Sequence, residues 1–342
     1  MVEADGSGGP AAFWKQCFQA FWRAIFGPPD EVRVSGSVCP ERSLRLPFLL
    51  PAKGAYMRFR RLRSWGVVAA ALLSTLTFIT VVSGTAHAEI PPSGSNDWTC
   101  KPSFIHPRPV VLVHGTFENM AFNWQKLSPE LKKQGYCVFA LNYGGTFDAP
   151  IQGTGDIPTS AGQLSTFVDK VLAATKVSKV DMVGHSQGGM MPRYYMKFLG
   201  GATKVNQVIG ISPSNHGTDL SGLVTLGNLL GLTGPIAKIC GPACEQQVVG
   251  SAFITNLNAG GDTVPGPKYI VLATKTDEVV TPYTTQFLSG SNAQNFILQD
   301  KCSGDNNAHV GIIFDPVMIK FVENTLGFWG PKGPINCSNP LG

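Results

Sequence analysis

One serine is set apart by its neighbours. Gly184-His185-Ser186-Gln187-Gly188 follows an apolar run and precedes a helix-forming stretch, and G-x-S-x-G between a strand and a helix is the nucleophile-elbow pattern. A turn this sharp leaves no room for side chains two positions either side of the serine, hence the glycines. The strain exposes Oγ, and the following helix turns its positive end toward the reaction centre. The competing reading, a structural serine in a tight turn, accounts for neither flanking element. A hydroxyl attacks poorly until a base takes its proton, so a histidine and an acid are required. Of six histidines, His87 falls in a candidate leader, His106 precedes the sheet and His114 ends the first strand. His185 is the variable elbow residue and reads as facing elsewhere. His309 lies in the polar loop Asp305-Asn306-Asn307-Ala308-His309, where the chain order serine, acid, histidine puts the base. His216 reads as a structural turn residue.

The acid belongs directly after a late buried strand. Asp277 follows the run 269–273 and fits; Glu278 is its immediate rival, and Asp262 in a Gly-rich loop is a weaker one. A solvated turn is the bland reading of Asp277. Asp277 would hold the His309 tautomer and offset the imidazolium that forms during attack. The oxyanion needs two main-chain N–H donors. Gln187, next after the nucleophile, is one; Thr116, in the loop after the first strand, is the other, with Phe117 as runner-up.

Elements must bring these residues together across more than a hundred positions. The run 109–114 is short and apolar up to its histidine, as in a strand buried on both faces of a parallel sheet, and 137–143, 180–184, 207–212 and 269–273 read as further strands. Between them 124–134, 160–176, 193–198 and 313–326 carry helical patterns; Leu164, Phe167, Val168, Val171 and Leu172 share one face of the second. Such alternation predicts an α/β fold, a mostly parallel sheet with helices on both faces. Residues 219–266 break the rhythm. They read as a small cap or lid, with Leu220, Leu223, Val224, Leu226, Leu229, Leu230 and Leu232 either covering an acyl pocket or packing the cap itself. Residues 89–96, rich in Pro, Ser and Gly, read as a flexible segment.

The chain has 342 residues, 43% of them hydrophobic, enough for a sizeable core. Residues 57–88 have the form of a secretory signal peptide: a basic start at 57–63, an apolar run over 65–82, and Ala86-His87-Ala88 as a small-x-small cleavage site. A retained membrane anchor is the rival, and Arg60-Arg61 makes a weak twin-arginine match. Residues 1–56 read as an upstream extension absent from the mature protein, with Met57 the initiator; an amphipathic membrane helix through Phe13, Trp14, Phe18, Phe21 and Trp22 is the other reading. The catalytic domain is then 89–342. Residues 1–88 hold 10 basic and 5 acidic side chains of the 27 and 22 in the whole chain, so 17 of each remain beyond them. The formal charge of +5 belongs to the leader, and no basic patch argues for nucleic acid. Six cysteines follow residue 88, which suits an exported protein with three disulfides, fifteen pairings being open. Cys240 and Cys244 are spaced for a local loop; Cys100 with Cys137 and Cys302 with Cys337 would then tie down the two ends. The metal-site reading is weak, because no histidine lies near the short pair at ligand spacing.

Residues 111–119 (Val-Leu-Val-His-Gly-Thr-Phe-Glu-Asn), the elbow, residues 212–218 (Ser-Pro-Ser-Asn-His-Gly-Thr) and the Asp277 and His309 segments together resemble the secreted class 2 triacylglycerol lipases of bacteria, over about residues 100–342. The resemblance implies an α/β-hydrolase fold, cleavage of carboxylic esters, no cofactor, and the triad Ser186, Asp277, His309. It implies an ester or lipid substrate, met at a lipid–water interface if the cap opens there, and no obligate protein partner. An acyltransferase on the same fold and a non-catalytic lipid- or ester-binding protein are the alternatives.

Overall fold

The computed structural model describes residues 90–145, 149–232, 240–327 and 334–341. The leader expected at 57–88 and the extension before it lie outside the described residues. Six strands, β1 (Val110–Val113), β2 (Val138–Leu141), β3 (Val180–His185), β4 (Val205–Ile211), β5 (Lys268–Ala273) and β6 (Ala293–Ile297), form one sheet. Its order is β2-β1-β3-β4-β5-β6, and every pairing is parallel. The winding reverses between β1 and β3, so crossover helices fall on opposite faces on either side of that point. The crevice at the carboxyl ends of β1 and β3 is where such sheets place their sites.

Strands buried on both faces supply two cores. Val111, Val113, Phe139, Val180 and Met182 pack on one face with Leu164, Val168 and Val171 of α3 (Ile157–Thr175) and Met190, Met191 and Tyr195 of α4 (Gln187–Phe198). Val110, Leu112, Val183, Ile209 and Leu272 pack on the other with Leu127 and Leu131 of α2 (Leu127–Lys133) and Val317, Met318 and Phe321 of α9 (Pro316–Leu326). Alternation along each strand assigns neighbours to opposite cores. Each fully buried Val, Leu or Ile contributes about 1.5–3 kcal/mol.

The structure departs from the sequence pattern in four places. The helix expected over 124–134 is shorter, with α2 starting at Leu127 after a turn at 124–126, and a short α1 (Met120–Asn123) capped by Asn119 precedes it. The last helix starts later than expected: a 3-10 turn at Gly311–Phe314 gives way to α9 at Pro316, whose Asp315 cap accepts from Val317 and Met318. β6 was not anticipated. It is an edge strand, Ala-Gln-Asn-Phe-Ile, with half-exposed residues and no apolar run. Ser95 bridges Val138, and the Asn96 side chain both donates to and accepts from the Ala140 backbone, so 95–96 is fastened along the β2 edge and not loose.

Residues 219–266 carry α5 (Leu220–Leu229), α6 (Gly241–Gln247) and α7 (Ala252–Asn258). Leu223, Leu226 and Leu230 are buried in one cluster with Phe117, Cys240, Cys244, Val279 and Val280. The insertion therefore packs on the loops after β1 and β5. Gln246 fastens it further, donating to Asp156 at 2.6 Å and accepting from the Ile157 amide at 2.7 Å. A short α8 (Leu298–Lys301) follows β6. The disulfides are Cys100–Cys137, Cys240–Cys244 and Cys302–Cys337.

Candidate active site

Register brings the first two segments together. Val113 of β1 pairs with Gly184 of β3, so the loop carrying Thr116 and the turn carrying Ser186 leave the sheet side by side. Ser186 has φ 53° and ψ −122° and caps α4, which begins at Gln187. Positive φ costs a non-glycine residue of order 1–3 kcal/mol and clusters at functional turns. The flanking glycines make the turn possible: a Cβ on Gly184 would overlap the Gly188 carbonyl, and one on Gly188 would overlap the carbonyls of Val113 and His114. The first amides of a helix lack intrahelical partners, which leaves the Gln187 N–H available at the turn.

His309 and Asp277, 32 positions apart, meet as a buried pair. The ring Nδ1 lies 3.0 and 2.9 Å from the two Asp277 oxygens, and both side chains are fully buried. Asp277 also accepts from the amides of Val279 and Val280 at 2.9 and 2.8 Å and from Gln286 Nε2 at 2.8 Å. Burial works against its charge, but His309 and these donors hold its carboxyl below the ordinary range. Burial likewise disfavours charge on His309, and the Asp277 carboxylate more than offsets it, so the imidazole titrates above its ordinary value. Among the described residues Nε2 of His309 has no hydrogen-bond partner.

The rivals stand elsewhere. Glu278 accepts from the His309 backbone N–H at 3.1 Å, not from the ring. Asp262 binds His216 Nε2 at 3.2 Å and the Ser289 amide at 2.7 Å, and His216 Nδ1 faces the Thr285 carbonyl at 2.8 Å. Those contacts tie three loops together, and none of them involves the His309 ring. His114 stacks on Tyr143 with ring centroids 4.3 Å apart, and burial lowers its pKa to about 4.

Thr116 and Gln187 are fully buried and touch: Gln187 Nε2 donates to Thr116 Oγ1 at 2.7 Å and to the Gly153 carbonyl at 2.8 Å. Gln247 Nε2 adds a second bond to Thr116 Oγ1 at 2.9 Å. With two amides donating to it, the Thr116 oxygen has its lone pairs engaged and its own proton left to give. Phe117 has a positive φ of 63° and a buried side chain among the insertion's leucines. Gln247 and Gln286 were not picked out from sequence, because a lone Gln carries no pattern. Among the described residues no group of three or more His, Cys, Asp or Glu is arranged to hold a metal ion.

This geometry can be set beside known proteins. The family model for Lipase (class 2) matches residues 107–322, which holds β1, both candidate oxyanion residues, the elbow, Asp277 and His309. The chain belongs to the class 2 lipase family. The chain is 39% identical over 93 residues to a triacylglycerol lipase of Pseudarthrobacter phenanthrenivorans, covering 25% of this chain and 27% of that one. It is 27% identical over 228 residues to lipase B of Pseudozyma antarctica, covering 64% of this chain and 60% of the relative. The first match thus spans about a quarter of its relative's length and the second about three-fifths. The crystal structure of Aspergillus fumigatus lipase B superposes with a TM-score of 0.56 at 22% identity, over 75% of this chain and 60% of that one. That likeness carries the α/β-hydrolase fold of this class 2 family member.

Proposed function

We propose that the chain is a secreted serine carboxylester hydrolase, a lipase or esterase acting on acyl esters of the triacylglycerol type. Ser186 Oγ attacks the ester carbonyl as His309 Nε2 takes its proton. The oxyanion is met by the main-chain N–H groups of Thr116 and Gln187, with the Thr116 hydroxyl as a third donor. Collapse breaks the carbonyl–alkoxy bond, and the imidazolium returns its proton to the departing alcohol. Water, deprotonated by the same nitrogen, then attacks the acyl-serine and releases the acid. The observation that carries this reading is His309: a buried ring, fixed at Nδ1 by a carboxylate and unpartnered at Nε2. Family membership supports the ester class, and the relatives' names support triacylglycerol. The three disulfides are compatible with export. Leu223, Leu226 and Leu230 pack on Phe117, Val279 and Val280, beside the loops that carry Thr116 and Asp277, which supports the reading of their segment as a cap.

The test is hydrolysis of p-nitrophenyl esters of graded chain length by the protein and its Ser186→Ala variant, with fluorophosphonate labelling alongside. Turnover and labelling lost in the variant are expected. A folded wild type that neither turns over nor labels points to a binding protein. Acyl transfer to an added alcohol outrunning hydrolysis points to an acyltransferase.

A further inference from the structure

Behind the elbow lies a second buried carboxylate–imidazole pair that the reaction above does not use. Glu118 and His185 both have fully buried side chains, with Oε2 and Nδ1 3.0 Å apart. The same Oε2 accepts from the Gly115 amide at 3.0 Å. At its far edge His185 Nε2 lies 2.9 Å from the backbone oxygen of His309, and the two rings are centred 5.0 Å apart. The packing at Gly115 is close: a Cβ there would come within 2.8 Å of Glu118 Oε2, 3.0 Å of His185 Nδ1 and 3.2 Å of Ser186 Cβ.

Hydrogen-bond chemistry assigns the protons. A carbonyl oxygen can only accept, so Nε2 of His185 carries a hydrogen. Burial alone would raise the Glu118 carboxyl, but the charge and hydrogen bond of His185 and the Gly115 amide hold it below its ordinary value. Nδ1 of His185 faces Glu118 Oε2 at 3.0 Å and Asn123 Nδ2 at 3.2 Å, so the ring is held on this side by two buried side chains. A buried carboxylate–imidazole pair adds little net stability over an apolar filling of the same shape, which directs attention to what the pair holds in place. Three segments meet here: the loop after β1, the turn after β3 through the residue just before Ser186, and the backbone of the residue that bears the base.

We infer that Glu118 and His185 are a positioning pair that sets the His309 backbone against the Thr116 loop, so that base, nucleophile and oxyanion donors share one frame. The inference rests on the proposed function. The pair touches no substrate. It acts through the His309 carbonyl at one end and the amide next to Thr116 at the other. Losing either member lets the base and the oxyanion donors drift independently. Displacements of about 1 Å in such a frame cost up to about a hundredfold in rate.

The experiment is a double-variant cycle on the full protein with Glu118→Gln, His185→Gln and both together, reading kcat and KM on p-nitrophenyl butyrate and the rate of fluorophosphonate labelling. Each single variant is expected to lower kcat about tenfold to a hundredfold, with KM within about twofold and labelling slowed in step. The double variant should fall no further than either single one, and Glu118→Asp should recover part of the loss. Single variants within twofold of wild-type kcat, or losses that multiply in the double variant, overturn the inference while leaving Ser186 chemistry intact. A wild type that is neither active nor labelled removes the reaction itself, a distinct result that ends both readings. Should the variants not fold, nitrogen-15 NMR of wild-type histidine decides. A protonated Nε2 on His185 with coupling to the His309 carbonyl supports the pair, and a bare Nε2 overturns it.

Discussion

His309 is bound on one nitrogen and open on the other, and its titration follows from that. In the proposed reaction it must be neutral to accept the Ser186 proton. Burial lowers its pKa and Asp277 raises it, and the carboxylate wins. Activity is then lost as pH falls through the raised value, so kcat/KM should show an acid limb with its midpoint above about 6.5, the ordinary histidine value. Asp277→Asn removes the attraction and leaves the burial. It should move that midpoint below the wild-type one and cut kcat by about ten-thousandfold through the wrong tautomer; a pH profile of both proteins checks the pair of claims. Thr116 makes a separate prediction. Thr116→Val keeps shape but neither donates nor accepts, taking one acceptor from each of the Gln187 and Gln247 amides. A kcat loss of about a hundredfold with little change in KM is expected, and Thr116→Ser should keep most of the activity.

At the scale of elements, the elbow is the tightest joint between strand and helix. A Cβ on Gly188 meets two main-chain oxygens of β1 and the loop after it, neither of which can swing aside. Gly188→Ala should therefore cost about 3 kcal/mol, the upper end of overpacking, seen as a lower urea midpoint with unchanged slope. The start of α9 behaves differently. Burial, with Asp305 nearby, pushes the Asp315 carboxyl up to about 7. A folded-state pKa above the unfolded one means that the ionised cap weakens the fold above that pH, and the penalty fades as pH falls below it. Asp315→Asn keeps a capping oxygen without the charge and should leave Tm at pH 8 unchanged or slightly higher. Asp315→Ala loses the cap, costing about 1 kcal/mol.

Over the whole molecule, parallel strand order puts the loop after β1 beside the elbow, and the disulfides close the chain around it. Cys302–Cys337 has a sequence separation of 35 and anchors residues 334–341, where Ile335 packs on the second core. Closing a loop of that size is worth about 3–4 kcal/mol in chain entropy. Cys302→Ser with Cys337→Ser should lower the free energy of unfolding by that amount, read as a lower urea midpoint, while leaving Ser186 labelling at native pH intact, since neither cysteine belongs to the elbow.

Much of this protein was legible in its residues. Five of the six described strands declared themselves because a strand buried on both faces is short and mostly apolar. Ser186 was marked by glycines that only a crowded turn requires, and Asp277 and His309 by their order after late elements. The edge strand β6 was illegible, being wetted and mixed in composition, and α1, four residues ahead of the expected helix, was too short to show a period. Tertiary structure alone decided that the Glu278 carboxylate meets the His309 backbone and Asp277 its ring, although the two acids are adjacent in sequence. It also decided that Gln247, from the insertion, reaches Thr116, and that His185 faces Glu118 and the base's own carbonyl. Pattern reports periodicity and backbone strain, which are local. A hydrogen bond between side chains tens of residues apart depends on direction and distance, and only the packed sheet and its loops set those.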